Sequence, residues 1–234
     1  TLYSNTAGHW NIAFGYRALR RNTIGLGNIA FGVNSLMSNQ TGDYNISLGF
    51  GCLGASYDVG NHNIAIGHQV LENEEGDHAI GIGYRALQKN NSTIGCIGIG
   101  FQACKENTDG WYTTGIGYNA LKNNTTGQQN IAVGGGALAT NTTGRDNVAV
   151  GSYALSFGND NNYNVAIGSN ALTSNSTGDN NTAVGYYSSG INSSGYNNTS
   201  IGYKSSYANY SGHDNSSIGN LAMESTSSGH YNTG

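Results

Sequence analysis

Charge is scarce in this 234-residue chain: Asp, Glu, Lys and Arg make up 9% of it, and proline is absent. The nine Lys and Arg are spread thinly and the formal net charge is −4. That leaves no basic footprint for nucleic acid. Long apolar runs are missing too. The run from Cys96 to Phe101 is among the longest and falls far short of a bilayer span, so this segment is not expected to insert into a membrane. No secretory signal is visible, because Thr1 already lies in repeat-like sequence. Residues 1–234 read as a single repeat array, cut at both ends from a longer chain.

Only three cysteines occur: Cys52, Cys96 and Cys104. In a stack of coils Cys52 lies about 10–14 Å from the other two, too far for a disulfide. No disulfide framework is expected, and the cysteines say little about compartment.

Low charge with only 37% hydrophobic residues ordinarily suggests disorder. Here the apolar residues are phased. Glycine (37) and asparagine (34) are abundant, and they recur in register. One glycine returns thirteen times, from Gly15 and Gly32 to Gly202 and Gly219. The interval is 17, apart from one of 18 and one of 16 that cancel. The consensus is N-I-A-(I/V)-G-Y-x-A-L-x-x-N-x-T-G-x-x, and repeat positions are numbered along it from 1 to 17.

Position 4 is always large and apolar, from Phe14 to Ile218, and position 2 is mostly Ile or Val. Position 3, between them, is always tiny, from Ala13 and Ala30 to Ser217. A period of two with β-branched residues is a strand. On this reading the large residues face a core. The tiny ones meet a close neighbour, a second chain being favoured over a turn of the same coil. Position 9 is Leu in nine copies, from Leu19 to Leu172, which suggests a second short strand after a glycine corner. Positions 10 to 17 are polar and read as an outer turn. The Gly, Asn and β-branched content opposes a helix. One repeat cannot bury its own apolar face, so copies must stack. The expected fold is all-β: a parallel β-solenoid, or β-roll, of about thirteen coils, each adding about 4.8 Å to a rod of roughly 60 Å. Asparagines at position 1 (Asn11 to Asn215) and position 12 (Asn22 to Asn209) read as two columns of stacked amides.

The phrases Asn-Ile-Ala-Val-Gly (130–134), Asn-Val-Ala-Val-Gly-Ser (147–152), Asn-Val-Ala-Ile-Gly-Ser (164–169) and Asn-Thr-Ala-Val-Gly-Tyr (181–186) carry a family resemblance. The chain resembles the head repeats of trimeric autotransporter adhesins and the N-T-A-x-G-x-x-A-L arrays of phage and virus fibres. The resemblance extends over essentially the whole chain. It implies a left-handed parallel β-roll, a homotrimer, and an extracellular place on a cell or virion surface, often binding host or matrix. The 17-residue repeat is longer than the commonest head repeat, and no neck, stalk or chaperone segment is present.

No nucleophile, base and orienting group recur together, so no catalytic set, cofactor or enzyme activity is expected. Of six histidines, His9, His62, His78, His213 and His230 sit in outer turns and read as solvated, while His68 at position 6 is expected to pack. Asp43, Asp77, Asp109, Asp179 and Asp214 are isolated turn residues without the calcium-binding phrase G-G-x-G-x-D, so no metal is expected. Aromatics just before strands are the candidate ligand-binding residues: Trp111, Tyr112, Trp10, Tyr163 and Tyr196, for a host surface glycan or protein. The competing reading is that they cover a strand edge or a subunit boundary. Trp111-Tyr112 leads because it lies where position 1 changes to Ala79, Cys96 and Thr113. Among fourteen N-x-S/T sequons, Asn91, Asn124, Asn141, Asn175, Asn198 and Asn215 are candidate glycosylation sites, those at position 12 expected to be accessible. Toward the C-terminus Thr182, Thr199 and Ser216 replace Ile, and Ser189 and Ser206 replace Leu. Tyr186, Tyr187 and Tyr203 are expected to restore bulk there, with lower local stability.

Three functions compete. One is a structural or adhesive rod segment of a surface fibre. The second is a scaffold filament subunit that binds only itself. The third is an ice-binding solenoid, which needs a flat array of Thr. Thr41, Thr126, Thr143 and Thr177 lie in turns instead.

Overall fold

The computed structural model describes residues 1–57, 59–91, 93–158, 160–225 and 227–234, and none of these is helical. They form two compact units, Thr1–Thr113 and Thr114–Gly234, each a parallel β-solenoid. The first unit contains β1 (Ile12–Phe14), β2 (Ile29–Phe31), β3 (Ile46–Phe50), β4 (Ile64–His68), β5 (Ile80–Tyr84) and β6 (Ile97–Ile99). The second contains β7 (Thr114–Ile116), β8 (Ile131–Val133), β9 (Val148–Val150), β10 (Val165–Ile167), β11 (Ser174–Asn175), β12 (Thr182–Val184), β13 (Ile191–Asn192), β14 (Thr199–Ile201) and β15 (Ser216–Ile218).

Within each unit successive strands pair parallel and in phase. Ile12 faces Ile29, Ala13 faces Ala30 and Phe14 faces Phe31; Val165, Ala166 and Ile167 face Thr182, Ala183 and Val184. The intervals of 18 and 16 leave this register intact: Gly49 pairs with Gly67, and Gly67 with Gly83. The position 5 glycine is required twice over. Gly134 has φ +135°, and a Cβ there would lie 2.5 Å from the carbonyl oxygen of Gly151 in the next coil.

The alternation within the strand is the reverse of the expected one. Position 3 points inward: Ala30, Ala65, Ala132, Ala149, Ala166 and Ala183 have no exposed surface. Position 4 points outward, with Phe31 at 54% and Ile167 at 40% exposure. The close neighbour of position 3 is the chain's own coil, since a Cβ added at Gly98 would lie 2.8 Å from Leu87 Cγ. A coil this short has too little girth to enclose two rows of Ile and Val. Its interior holds one row of small residues against one row of Leu.

Position 9 is therefore core, but not by way of a second strand. Residues at positions 7 and 9 are left-handed, as in Arg17 (φ 58°) and Leu19 (φ 47°), and this recurs to Lys204 and Ser206. A strand advances about 3.3 Å per residue and would carry Leu19 away from β1. Left-handed residues fold it back underneath. Each costs about 1–2 kcal/mol for a non-glycine residue, and full burial of a Leu side chain returns about 1.5–3 kcal/mol. A short second sheet does form, but at positions 11 and 12, where β11 pairs with β13.

The two asparagine columns differ in chemistry. At position 12 amide bonds to amide: Asn22 Nδ2 donates to Asn5 Oδ1 at 2.9 Å, Asn39 to Asn22 at 2.9 Å, and Asn141 to Asn124 at 2.7 Å. At position 1 the side-chain oxygen accepts the backbone N–H of the next coil, as from Asn28 to Asn11 at 2.9 Å. Its Nδ2 donates to the position 15 carbonyl, as Asn28 does to Gly42 at 2.7 Å. Both columns are interior, so every satisfied amide avoids a penalty of about 1–3 kcal/mol.

Glu74 interrupts the position 12 column and is fully buried. Asn90 Nδ2 and the Gly76 N–H both donate to its carboxylate. Burial pushes its pKa from 4.5 up to about 7, outweighing those donors. The folded state therefore holds the proton more tightly than the unfolded chain. The resulting stability is complete below the unfolded value and is lost as pH rises through the folded one. The loss is on the order of 3 kcal/mol. Glu74→Gln is expected to flatten that dependence; urea midpoints below pH ~5 and above pH ~8 should then coincide.

In the last coils the core becomes polar. Ser188, Ser189, Ser200, Ser205, Ser206 and Ser217 are buried, with Ser189 Oγ donating to Ser200 Oγ at 2.8 Å. Tyr186 and Tyr203 are exposed and stack on each other outside, so hydrogen-bonded serines, not tyrosine bulk, fill this interior. Cys52, Cys96 and Cys104 are buried free thiols, in line with the absence of a disulfide framework.

Candidate interaction face

Because position 3 turns inward, positions 2 and 4 must turn outward. In the first unit position 2 is Ile in all six strands, and position 4 is Phe14, Phe31, Leu48, Ile66, Ile82 and Ile99. In the second unit position 4 stays Ile or Val from Ile116 to Ile218, while position 2 changes to Thr114, Thr182, Thr199 and Ser216 among Ile and Val. No charged residue occupies either position in any of the thirteen strands. Phe14 and Phe31 stack at 4.7 Å. Alongside, position 6 builds a ring column: Phe50 to His68 at 5.1 Å, His68 to Tyr84 at 5.4 Å, Tyr84 to Phe101 at 5.3 Å. His68 thus packs as expected. Each unit bears a column of outward apolar side chains at position 4, beside a half-buried position 2 column that is Ile throughout the first unit and mixed Ile, Val, Thr and Ser in the second.

The five candidate aromatics all lie on the surface, in the segments leading into strands. Trp111 and Tyr112 are neighbours in sequence. Trp10 precedes β1, six repeats earlier, and Tyr163 and Tyr196 are two repeats apart. Within neither unit do they converge on a common pocket. Tyr112 lies over Gly95, where a Cβ would sit 3.1 Å from Tyr112 Cδ1. Tyr163 lies under Arg145, with Cζ 5.9 Å from the ring centroid. Tyr196 stacks on His213 at 4.6 Å.

His9, His62, His78 and His230 are exposed as expected, and His213 is half-buried, but the turn histidines also stack. Tyr44, His62 and His78 form one stack with 5.3 Å spacings, and His213 stacks on His230 at 3.9 Å. The turn aspartates are likewise structural. Asp43 Oδ1 accepts the Leu26 N–H at 2.7 Å, Asp77 Oδ1 that of Asn61 at 2.6 Å, and Asp179 Oδ1 that of Asn162 at 2.7 Å. Their shared position 16 was the signal for this role. Among the described residues no group of three or more His, Cys, Asp or Glu is placed to hold a metal ion.

The expected accessibility of the position 12 sequons does not hold. Asn124, Asn141 and Asn175 are fully buried with their Nδ2 groups donating inside the coil, and Asn198 and Asn215 are at most 3% exposed. A glycan on these nitrogens is incompatible with the column. Of the six candidates, Asn91 alone is exposed.

No family profile, characterised protein or solved structure matches the chain.

Proposed function

We propose that the chain is a structural and adhesive segment of an extracellular or virion-surface fibre, assembled from copies of itself through the aliphatic face. The role is mechanical and recognitional rather than enzymatic. The observation that carries it is the outward apolar column at position 4 in each unit, with its Ile-rich position 2 neighbour in the first. Covering them removes apolar surface from water at about 25 cal/mol per Å², and a flat, uncharged, regularly spaced face suits packing against an identical one. The resemblance noted above favours a homotrimer. Some turn threonines spend their hydroxyls on the next coil, as Thr23 does on the Gln40 carbonyl at 2.9 Å and Thr143 on Asp160 Oδ1 at 2.6 Å, and a threonine recurs at no turn position in every copy, which argues against an ice-binding array.

Electron microscopy with light scattering tests the assembly. Discrete trimers support the fibre segment, open-ended growth supports the scaffold filament, and a monomer contradicts both. For the adhesive role, binding to a host glycan or matrix panel should fall about tenfold or more in Trp111→Ala with the fold retained. Undiminished binding removes Trp111 from the candidate ligand surface.

A further inference from the structure

The sparse charges are sorted by repeat position. Eight of the nine Lys and Arg fall at positions 7, 10 or 11, after the strand; the exception is Arg145. Most acidic residues fall in the segment that leads back into the next strand. In a parallel ladder held in phase, residues following the strands line one margin of the sheet and residues preceding them line the other. In each unit the aliphatic face therefore has a cationic margin, with Arg17 and Arg85 at position 7 in the first and Lys204 in the second. The opposite margin carries Asp43 and Asp77 in the first unit and Asp179 in the second at position 16, with Asp146 and Asp214 of the second unit at position 17.

These groups are held in place. The Arg85 guanidinium lies 5.0 Å from the Tyr84 ring centroid, and its Nε donates to Gln69 Oε1 at 3.1 Å. Lys204 Nζ sits 5.6 Å and 5.4 Å from the Tyr203 and Tyr207 rings. Asp77 is fixed by the Asn61 N–H at 2.6 Å and Nδ2 at 3.2 Å. Arg145, the exception, is drawn onto the Tyr163 ring. Three acidic residues fall on the cationic side: Glu106 is paired with Lys89 and Lys105, Glu72 accepts from the Gln69 and Gln88 amides, and Glu224 is the third.

We infer that the two margins form a recognition seam between copies of this chain: the cationic margin of one meets the aspartate margin of the next, with the coils of both ascending in the same direction. The inference rests on the self-association reading above. When two such faces meet with the coils of both ascending the same way, opposite margins are brought together. When one copy is flipped end for end, like margins meet, and like-charge contact is unfavourable. Level matters too. Asp77 and Arg85 flank the same strand, β5, so copies at equal height set Arg85 beside Asp77 of the next copy. The seam selects orientation and height, and the aliphatic columns supply most of the attraction.

The test is thiol crosslinking across copies. The native cysteines are fully buried. A chain carrying Asp77→Cys and Arg85→Cys is expected to give covalent oligomers with a short crosslinker, and Arg85→Cys alone none. Crosslinking by Arg85→Cys alone means that like margins meet, and overturns the inference. Asp77→Cys loses the acceptor for Asn61, so charge variants supply a second measurement. Asp77→Asn keeps that acceptor, and Arg85→Glu lies outside the core. Each should weaken association about tenfold in low salt and little in high salt. An unchanged low-salt association also overturns the seam while leaving self-association standing. A native chain that sediments as a monomer overturns both.

Discussion

A Gly151→Ala chain is expected to lose at least about 3 kcal/mol of stability, a large effect for a one-methyl change. Two penalties coincide. Gly151 has φ +135°, a region closed to residues with a Cβ, and that Cβ would lie 2.5 Å from the Gly168 carbonyl oxygen. The obstruction is backbone, held by the Gly168 N–H to Val150 carbonyl bond at 2.7 Å, so it cannot swing away as a side chain would. Relief requires opening the ladder between β9 and β10. Denaturant unfolding followed by circular dichroism measures the loss. A midpoint within error of the native one would show that the backbone at position 5 is not as described.

A contrast between neighbours in β10 gives the second large effect. Ala166→Lys places an ammonium in the dry interior beside Leu, and should unfold the second unit at a cost of several kcal/mol. Ile167→Lys, one residue on, points outward and should leave the β-signal intact. Its cost appears in association instead. A lysine facing its own symmetry copies across an apolar seam should raise the dissociation constant about a hundredfold or more. Circular dichroism and sedimentation on the two variants separate these outcomes. Unfolding by Ile167→Lys together with tolerance of Ala166→Lys would restore the opposite arrangement, with Ile and Val inside.

That reversal marks where the sequence is ambiguous. The 17-residue phase, the strands over positions 2 to 4, the stacked amides and the glycine corner all follow from recurrence, and all are present. A period of two, however, says only that Ala149 faces away from Val148 and Val150. It does not say which side is closed. Hydrophobicity alone points the larger residues inward. The girth of a coil whose interior is already shared by Leu155, Asn147 and Asn141 decides the other way. The left-handed leucines were also hidden, because local preference opposes them and only tertiary burial makes them worthwhile. The interior place of Asn141 had a partial signal: its column is Asn in nine copies, giving way to Ser56 and Glu74 where the repeat length changes and to Gly158 and Thr226 elsewhere. The charge margins become meaningful only once positions 7 and 16 are known to flank an exposed face.

Sedimentation equilibrium of the unmodified chain bears most directly on whether aliphatic columns that the fold leaves uncovered are covered by further copies. A single species of three times 24.4 kDa is the predicted result. A soluble 24.4 kDa particle that stays monomeric at high concentration, its Ile and Val columns in water, would contradict it.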